Sequence, residues 1–158
     1  MSSTLSLDVE LQPDWRNVTR ASEAAALLVL STFGDQDLRD AVAMISAELL
    51  ENALKYADPQ KLIRMTIADE PASIVVAVTN AVVHPEEVER LAARLDWLRQ
   101  QPDAATAWTE ALVRATTSGG TGGRPGLGIL RIAYEGSSQV DYDISEPGTL
   151  TVRASMTK

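Results

Sequence analysis

The predicted elements follow the order β-α-α-β-β-(α-α)-α-β-β. This order predicts a two-layer α+β sandwich in the broad α/β class, with a mixed, largely antiparallel sheet and helices on one face. Three observations carry the prediction. The strand-like runs are short and several alternate polar with apolar residues. Two long alanine- and leucine-rich helical runs stand back to back after the first strand. The remaining strands come in pairs joined by hairpin-sized turns. With 158 residues, 45% of them hydrophobic, no internal repeat and no interdomain linker, residues 1–158 read as one domain with its own core.

Leu5, Leu7, Val9 and Leu11 alternate with Ser6, Asp8 and Glu10, as in a half-buried strand. Pro13-Asp14 punctuates, and Asp14 is placed to cap a helix over Trp15 to Phe33, which Gly34 stops. Asp35 or Asp37 caps the next helix, which runs to about Ala57, ahead of Asp58-Pro59. Projected at about 100° per residue, Leu38, Val42, Ile45, Leu49 and Tyr56 form one stripe of this helix. Glu48, Asn52 and Lys55 lie along its edge, and Leu50 and Leu54 lie opposite. A helix apolar on two sides is mostly buried, so Glu48 and Asn52 are expected at the border of the core. A carboxylate there needs compensation.

Lys61 to Ala68 and Ser73 to Val78 read as strands around the hairpin Asp69-Glu70-Pro71-Ala72. A helix follows from about Glu86 to Gln100, with Val88, Leu91, Leu95 and Leu98 in heptad-like spacing. Gln101-Pro102-Asp103 breaks it, and another helix runs to about Ala115. Trp97 and Trp108, on these two helices, are expected to pack as core. A glycine-rich loop, Thr116 to Pro125, leads through Gly126-Leu127-Gly128 into a short helix ending near Tyr134. Val140, Tyr142 and Ile144 make a strand, Glu146 to Thr149 a turn, and Leu150, Val152 and Ala154 the last strand.

Composition removes several function classes. There is no cysteine, hence no disulfide framework, no zinc knuckle and no thiol nucleophile. His84 is the sole histidine, which excludes multi-histidine metal sites and disfavours a Ser-His-Asp triad. It sits where a loop enters a helix, the context of an exposed or capping residue. A formal charge of −8 argues against non-specific nucleic-acid binding and points to proteins or small ligands as partners. The apolar runs are too short to span a bilayer, and the N-terminus lacks the pattern of a signal peptide. A cytoplasmic protein without membrane attachment is the expectation.

Two stretches carry chemistry. Glu48 and Asn52, one turn apart on one helix face, can hold a hydrated divalent cation beside a reactive hydroxyl. Asn52 would offer its carboxamide oxygen, and Glu48 would take a proton. The same spacing also suits an ordinary polar pair at a helix edge. Gly119, Gly120, Gly122, Gly123 and Gly126 precede a helix start, where backbone N–H groups and the helix dipole favour phosphate oxygens. A plain surface linker shares that composition, but it would not need Gly126-Leu127-Gly128 packed at the start of an apolar helix.

Together the two stretches resemble the GHKL superfamily of Bergerat-fold ATP-binding domains. Glu48-Leu-Leu-Glu-Asn-Ala-Leu-Lys-Tyr-Ala57 is similar to the N box and Gly126-Leu-Gly-Ile-Leu-Arg-Ile132 to the G2 box, and element order extends the likeness over nearly the whole chain. The resemblance implies ATP and Mg²⁺ as ligands, Glu48 as catalytic base, Asn52 as Mg²⁺ ligand and Lys55 close to the phosphates. It also implies that Gly126, Leu127 and Gly128 line the triphosphate under a lid from Gly119 to Arg124. The family's Asp-x-Gly-x-Gly motif is absent. Asn80 stands where its adenine-binding aspartate would be, followed by Ala81-Val82-Val83 without glycine. An asparagine oxygen can accept the same hydrogen bond, without charge assistance.

A stand-alone domain of this plan is similar to the anti-sigma-factor serine/threonine kinases of bacterial partner-switching systems. That likeness implies a homodimer that phosphorylates a STAS-domain antagonist, or binds a sigma factor. The alternative is a non-catalytic protein-binding module of the same fold with a degenerate adenine pocket.

Overall fold

Asp14 and Asp35 set the two long helices. Each has extended backbone, and each side chain accepts a hydrogen bond from a first-turn N–H, of Arg16 at 2.8 Å and of Leu38 at 3.0 Å. The computed structural model describes residues 5–117, 127–146 and 148–158. Helix α1 spans Trp15–Phe33 and α2 spans Gln36–Tyr56. Gly34 joins them with φ 65°, a left-handed conformation that lets its N–H reach the Leu30 carbonyl at 2.8 Å. Among the described residues the other helices are α3 (Pro85–Arg99), α4 (Ala104–Thr117) and α5 (Leu127–Glu135).

The strands are β1 (Ser6–Leu11), β2 (Ile63–Asp69), β3 (Ser73–Ala81), β4 (Ser138–Glu146) and β5 (Thr149–Thr157). They form one sheet in the order β1-β2-β3-β5-β4, and every pairing is antiparallel. The architecture is the α+β sandwich expected, with a sheet that is wholly antiparallel among the described residues. Helices α1 and α2 connect β1 to its neighbour β2. The three later helices carry the chain from β3 past the place of β5 to the outer strand β4.

One face of the sheet is apolar and covered. Met65, Ile67, Ile74, Val76 and Val78 lie under α2, which buries Val42, Ile45 and Leu49 against them. On its other side α2 buries Leu50, and Leu54 packs against the core, the two-sided burial its sequence implies. The opposite sheet face is polar. Arg64 pairs with Asp8, Arg153 with Asp141 and Asp143, and the Thr79 and Thr151 hydroxyls share a hydrogen bond of 2.8 Å.

Two differences from the sequence reading bear on the site. Strand β3 continues past Val78 to Ala81, because β5 pairs with it as far as Ala81 and Thr149. Beyond it, an isolated bridge between Ala57 and Val82 ties the end of α2 to the end of that strand. Trp97 and Trp108 join a small satellite cluster with Ala107, Ala111 and Leu130, and both remain only partly buried. Trp108 stacks on Tyr134 with ring centroids 6.2 Å apart.

No atom lies within 4 Å of the place a Cβ would take at Gly34, so substitution there tests backbone strain alone. Gly34→Ala is expected to lower unfolding free energy by about 1 kcal/mol in urea denaturation, with Gly34→Asn losing less.

Candidate functional site

Helix α5 lies against the edge of α2 that carries Glu48 and Asn52. Its apolar positions Ile129, Leu130, Ile132 and Ala133 are buried and fix its height above the core. Gly128 is then forced close to α2. A Cβ at Gly128 would stand 2.5 Å from Glu48 Oε2 and 3.8 Å from Asn52 Nδ2. No larger residue fits without displacing the carboxylate. The structure thus brings together three residues that the sequence marked separately.

Glu48 has the compensation its position demands. Arg131 Nη1 donates to Glu48 Oε1 at 3.0 Å, and Arg131 Nε donates to Glu135 Oε2 at 2.7 Å. These bonds, first to Glu135 and then to Glu48, push the guanidinium further above its ordinary range. The Glu48 side chain is 16% exposed, whereas Arg131 is 44% exposed. One carboxylate oxygen of Glu48 therefore faces Arg131 and the other lies against Gly128.

Beside this cluster, a cavity of about 370 Å³ opens between α2, β3 and α3. That lies within the range of small-molecule sites, about 300–1,000 Å³. Leu49, Ala53 and Val78 contribute to its wall, Ile129, Leu150 and Val152 also line it, and Val88 and Leu91 cover it from α3. Asn52 lines the cavity as well, so it belongs to both the Gly128 cluster and the apolar hollow. Asn80 is 5% exposed and also lines it. Its Nδ2 donates to the Ala81 carbonyl at 3.1 Å.

The remaining expected residues fall as follows. Lys55 is exposed in the last turn of α2 and is not part of the cavity wall. Leu127 opens α5 and packs in the satellite cluster. Gly119, Gly120, Gly122, Gly123, Arg124 and Gly126 lie outside the described residues. His84 caps α3 without a side-chain cap bond and is 64% exposed, with Glu86 3.6 Å away.

Sequence reasoning missed two side chains. Arg131 is the lone charge in the apolar run from Leu127 to Ala133, and that isolation was a usable signal. Glu87 lines the cavity with its side chain 17% exposed. Burial raises the pKa of the Tyr56 phenol, and the nearby Glu87 charge adds to the shift. Its place depends on how α3 folds back over the cavity, which no local pattern reveals. Among the described residues no group of three or more histidine, cysteine or acidic side chains could hold a metal ion, and no helix is long and apolar enough to cross a membrane.

No family model and no curated protein matches the chain. Its fold is similar to that of a chain in "The crystal structure of SiaB-SiaC complex from Pseudomonas aeruginosa". The match has a TM-score of 0.72 and covers 95% of this chain and 89% of that one, at 17% sequence identity. Likeness at this identity is one of fold.

The Gly128 contact makes a coupled prediction. Gly128→Ala should cost about 1–3 kcal/mol by overpacking. In a Glu48→Ala background the same change should cost clearly less, since the obstructing carboxylate is gone. Urea denaturation of the four proteins measures that coupling.

Proposed function

We propose that this chain is an ATP- and Mg²⁺-dependent regulatory serine/threonine protein kinase that acts on a protein partner in a partner-switching circuit. The observation that carries the reading is the seating of Gly128 against Glu48 and Asn52 at the border of an apolar cavity. A glycine at a helix start, a carboxylate and a carboxamide converge where the fold offers room for a base and an approach for phosphates.

The residues fit the ligands the reading requires. Mg²⁺ is usually held by one or two protein oxygens together with substrate phosphates, and not by a dedicated cage. Asn52 would supply the protein oxygen of that sparse donor set. Bound there, the ion would neutralise charge on the phosphates. The purine would enter the cavity along Ala53 and Val78. Asn80 has committed an amide hydrogen to Ala81, so the reading uses its Oδ1 as an acceptor. Glu48 would take the proton of the attacking hydroxyl through Oε2, the oxygen not held by Arg131. The hydroxyl oxygen then bonds to the γ-phosphorus as the bond to ADP breaks.

The structural likeness to a chain in a two-protein complex supports a protein as the phosphate acceptor. A STAS-domain antagonist and a sigma factor are the partner classes the reading names, and the acidic surface suits protein recognition in the cytoplasm better than nucleic acid.

A second reading rests on the bond from Arg131 to Glu48. In it, the carboxylate anchors α5 to α2, and the domain is a binding module without phosphoryl transfer.

Under the kinase reading, ATP with Mg²⁺ at a hundredfold excess over Kd should raise Tm by about 5–10 °C. Asn52→Ala should remove the Mg²⁺-dependent part of the shift. Glu48→Ala should keep nucleotide binding but lower transfer from labelled ATP to the cognate partner by about 10²–10⁴-fold. No thermal shift at millimolar nucleotide would refute the kinase. Binding without transfer in the wild type would leave the module.

A further inference from the structure

Glu87 is the carboxylate that the cavity holds. It lines the hollow at 17% side-chain exposure, in a wall that is largely apolar but also includes Tyr56, Asn80, Arg90 and Arg94. Arg90 Nη1 donates to its Oε1 at 3.0 Å, but Arg90 is itself 68% exposed. The position is favourable for negative charge, because Glu87 lies in the first turn of α3 at the positive end of the helix dipole. Even so, a carboxylate can accept several hydrogen bonds, and one partner at the rim leaves most of that capacity unused.

Its place along the cavity can be read from α2. Asn52 and Tyr56 stand one turn apart, and both line the hollow. Asn52 marks the end near Gly128. Tyr56 marks the other end, where the bridge of Ala57 to Val82 ties α2 to the end of β3. Glu87 lies in the first turn of α3, which begins at Pro85 just after Val82, so it stands at that far end, on the Asn80–Val82 side.

We infer that Glu87 reads the nucleobase, accepting a hydrogen bond from the exocyclic amino group of adenine and disfavouring a base with a carbonyl there. This inference rests on the nucleotide-binding reading and assigns a specificity residue to the same site. Phosphates at the Asn52 end place the base at the Tyr56 end, where Glu87 is the charged acceptor beside Asn80 and the Tyr56 phenol; Arg90 and Arg94 also line the hollow but can only donate. A charged acceptor discriminates more sharply than a carboxamide, because a carbonyl in place of the amino group is repelled and leaves the Glu87 oxygen that Arg90 does not hold without a donor.

The test is calorimetric titration of the intact chain with ATP and with ITP, which differ at that one substituent. The wild type should bind ATP tighter than ITP by on the order of tenfold or more. Glu87→Gln should reduce that ratio to about two or less, because its amide can donate to the carbonyl as readily as it accepts from the amine. Arg90→Met breaks the same ion pair yet keeps the carboxylate, and it should retain the wild-type ratio. An unchanged ratio in Glu87→Gln, or equal loss in both variants, overturns the inference and leaves nucleotide binding standing. Absence of ATP binding in the wild type overturns the nucleotide reading and this inference with it.

Discussion

How closely α5 can lie against α2 is the constraint on which the site depends. The four buried apolar residues of α5 hold it down on the core. Without a side chain at Gly128, the helix start reaches the flank of α2, and Glu48 Oε2 occupies the space a methyl group would need. Packing and polarity are settled at this one contact. The close approach gives the carboxylate a defined orientation, Arg131 arrives on the same helix to hold its other oxygen, and Asn52 is left facing the cavity. A looser α5 would keep the sheet and the core but lose the convergence of these groups.

The cavity is a product of topology. Strand β3 must end beside the end of α2 for Asn80, Val82 and Tyr56 to share a wall, and the bridge of Ala57 to Val82 enforces that meeting. Helix α3 then has to turn back to cover the hollow. Pro85 at its first turn, where a missing N–H costs nothing, suits an abrupt start after the strand. The cover is amphipathic: Val88 and Leu91 face in, while Glu87, Arg90 and Arg94 bring charge to an otherwise apolar space.

Local chemistry was legible in the sequence wherever it decided the outcome. The caps at Asp14 and Asp35 and the stop at Gly34 define α1 and α2 as expected, because each rests on a residue and its immediate neighbours. The border position of Glu48 followed from the two apolar sides of α2. Non-local pairing was not legible. Nothing in Thr79-Asn80-Ala81 signals a strand; the ladder with β5 extends β3 through them. Arg131 and Glu87 were missed for the same reason, since each acquires its role from a helix distant in sequence. The tryptophans, expected in the core, lie at its margin, in the satellite cluster with Ala107, Ala111 and Leu130.

The bond from Arg131 to Glu48 does not by itself decide between base and anchor, and magnitudes show why. Arg131 is nearly half exposed and has a second partner in Glu135, so releasing Glu48 leaves no stranded charge on that side. Exposed ion pairs contribute about 0–1 kcal/mol, and partial burial of Glu48 raises this only modestly. Detaching Arg131 at the moment of proton transfer would then slow the reaction by a factor of roughly ten or less, since about 1.4 kcal/mol corresponds to tenfold. A well-placed general base contributes about 10²–10⁴-fold. General-base assistance outweighs the cost of detachment, so Arg131 can orient the carboxylate in the resting protein without disabling it. Under the kinase reading, transfer would therefore depend on the geometry around Glu48 Oε2, and that geometry is set by the absence of a side chain at Gly128.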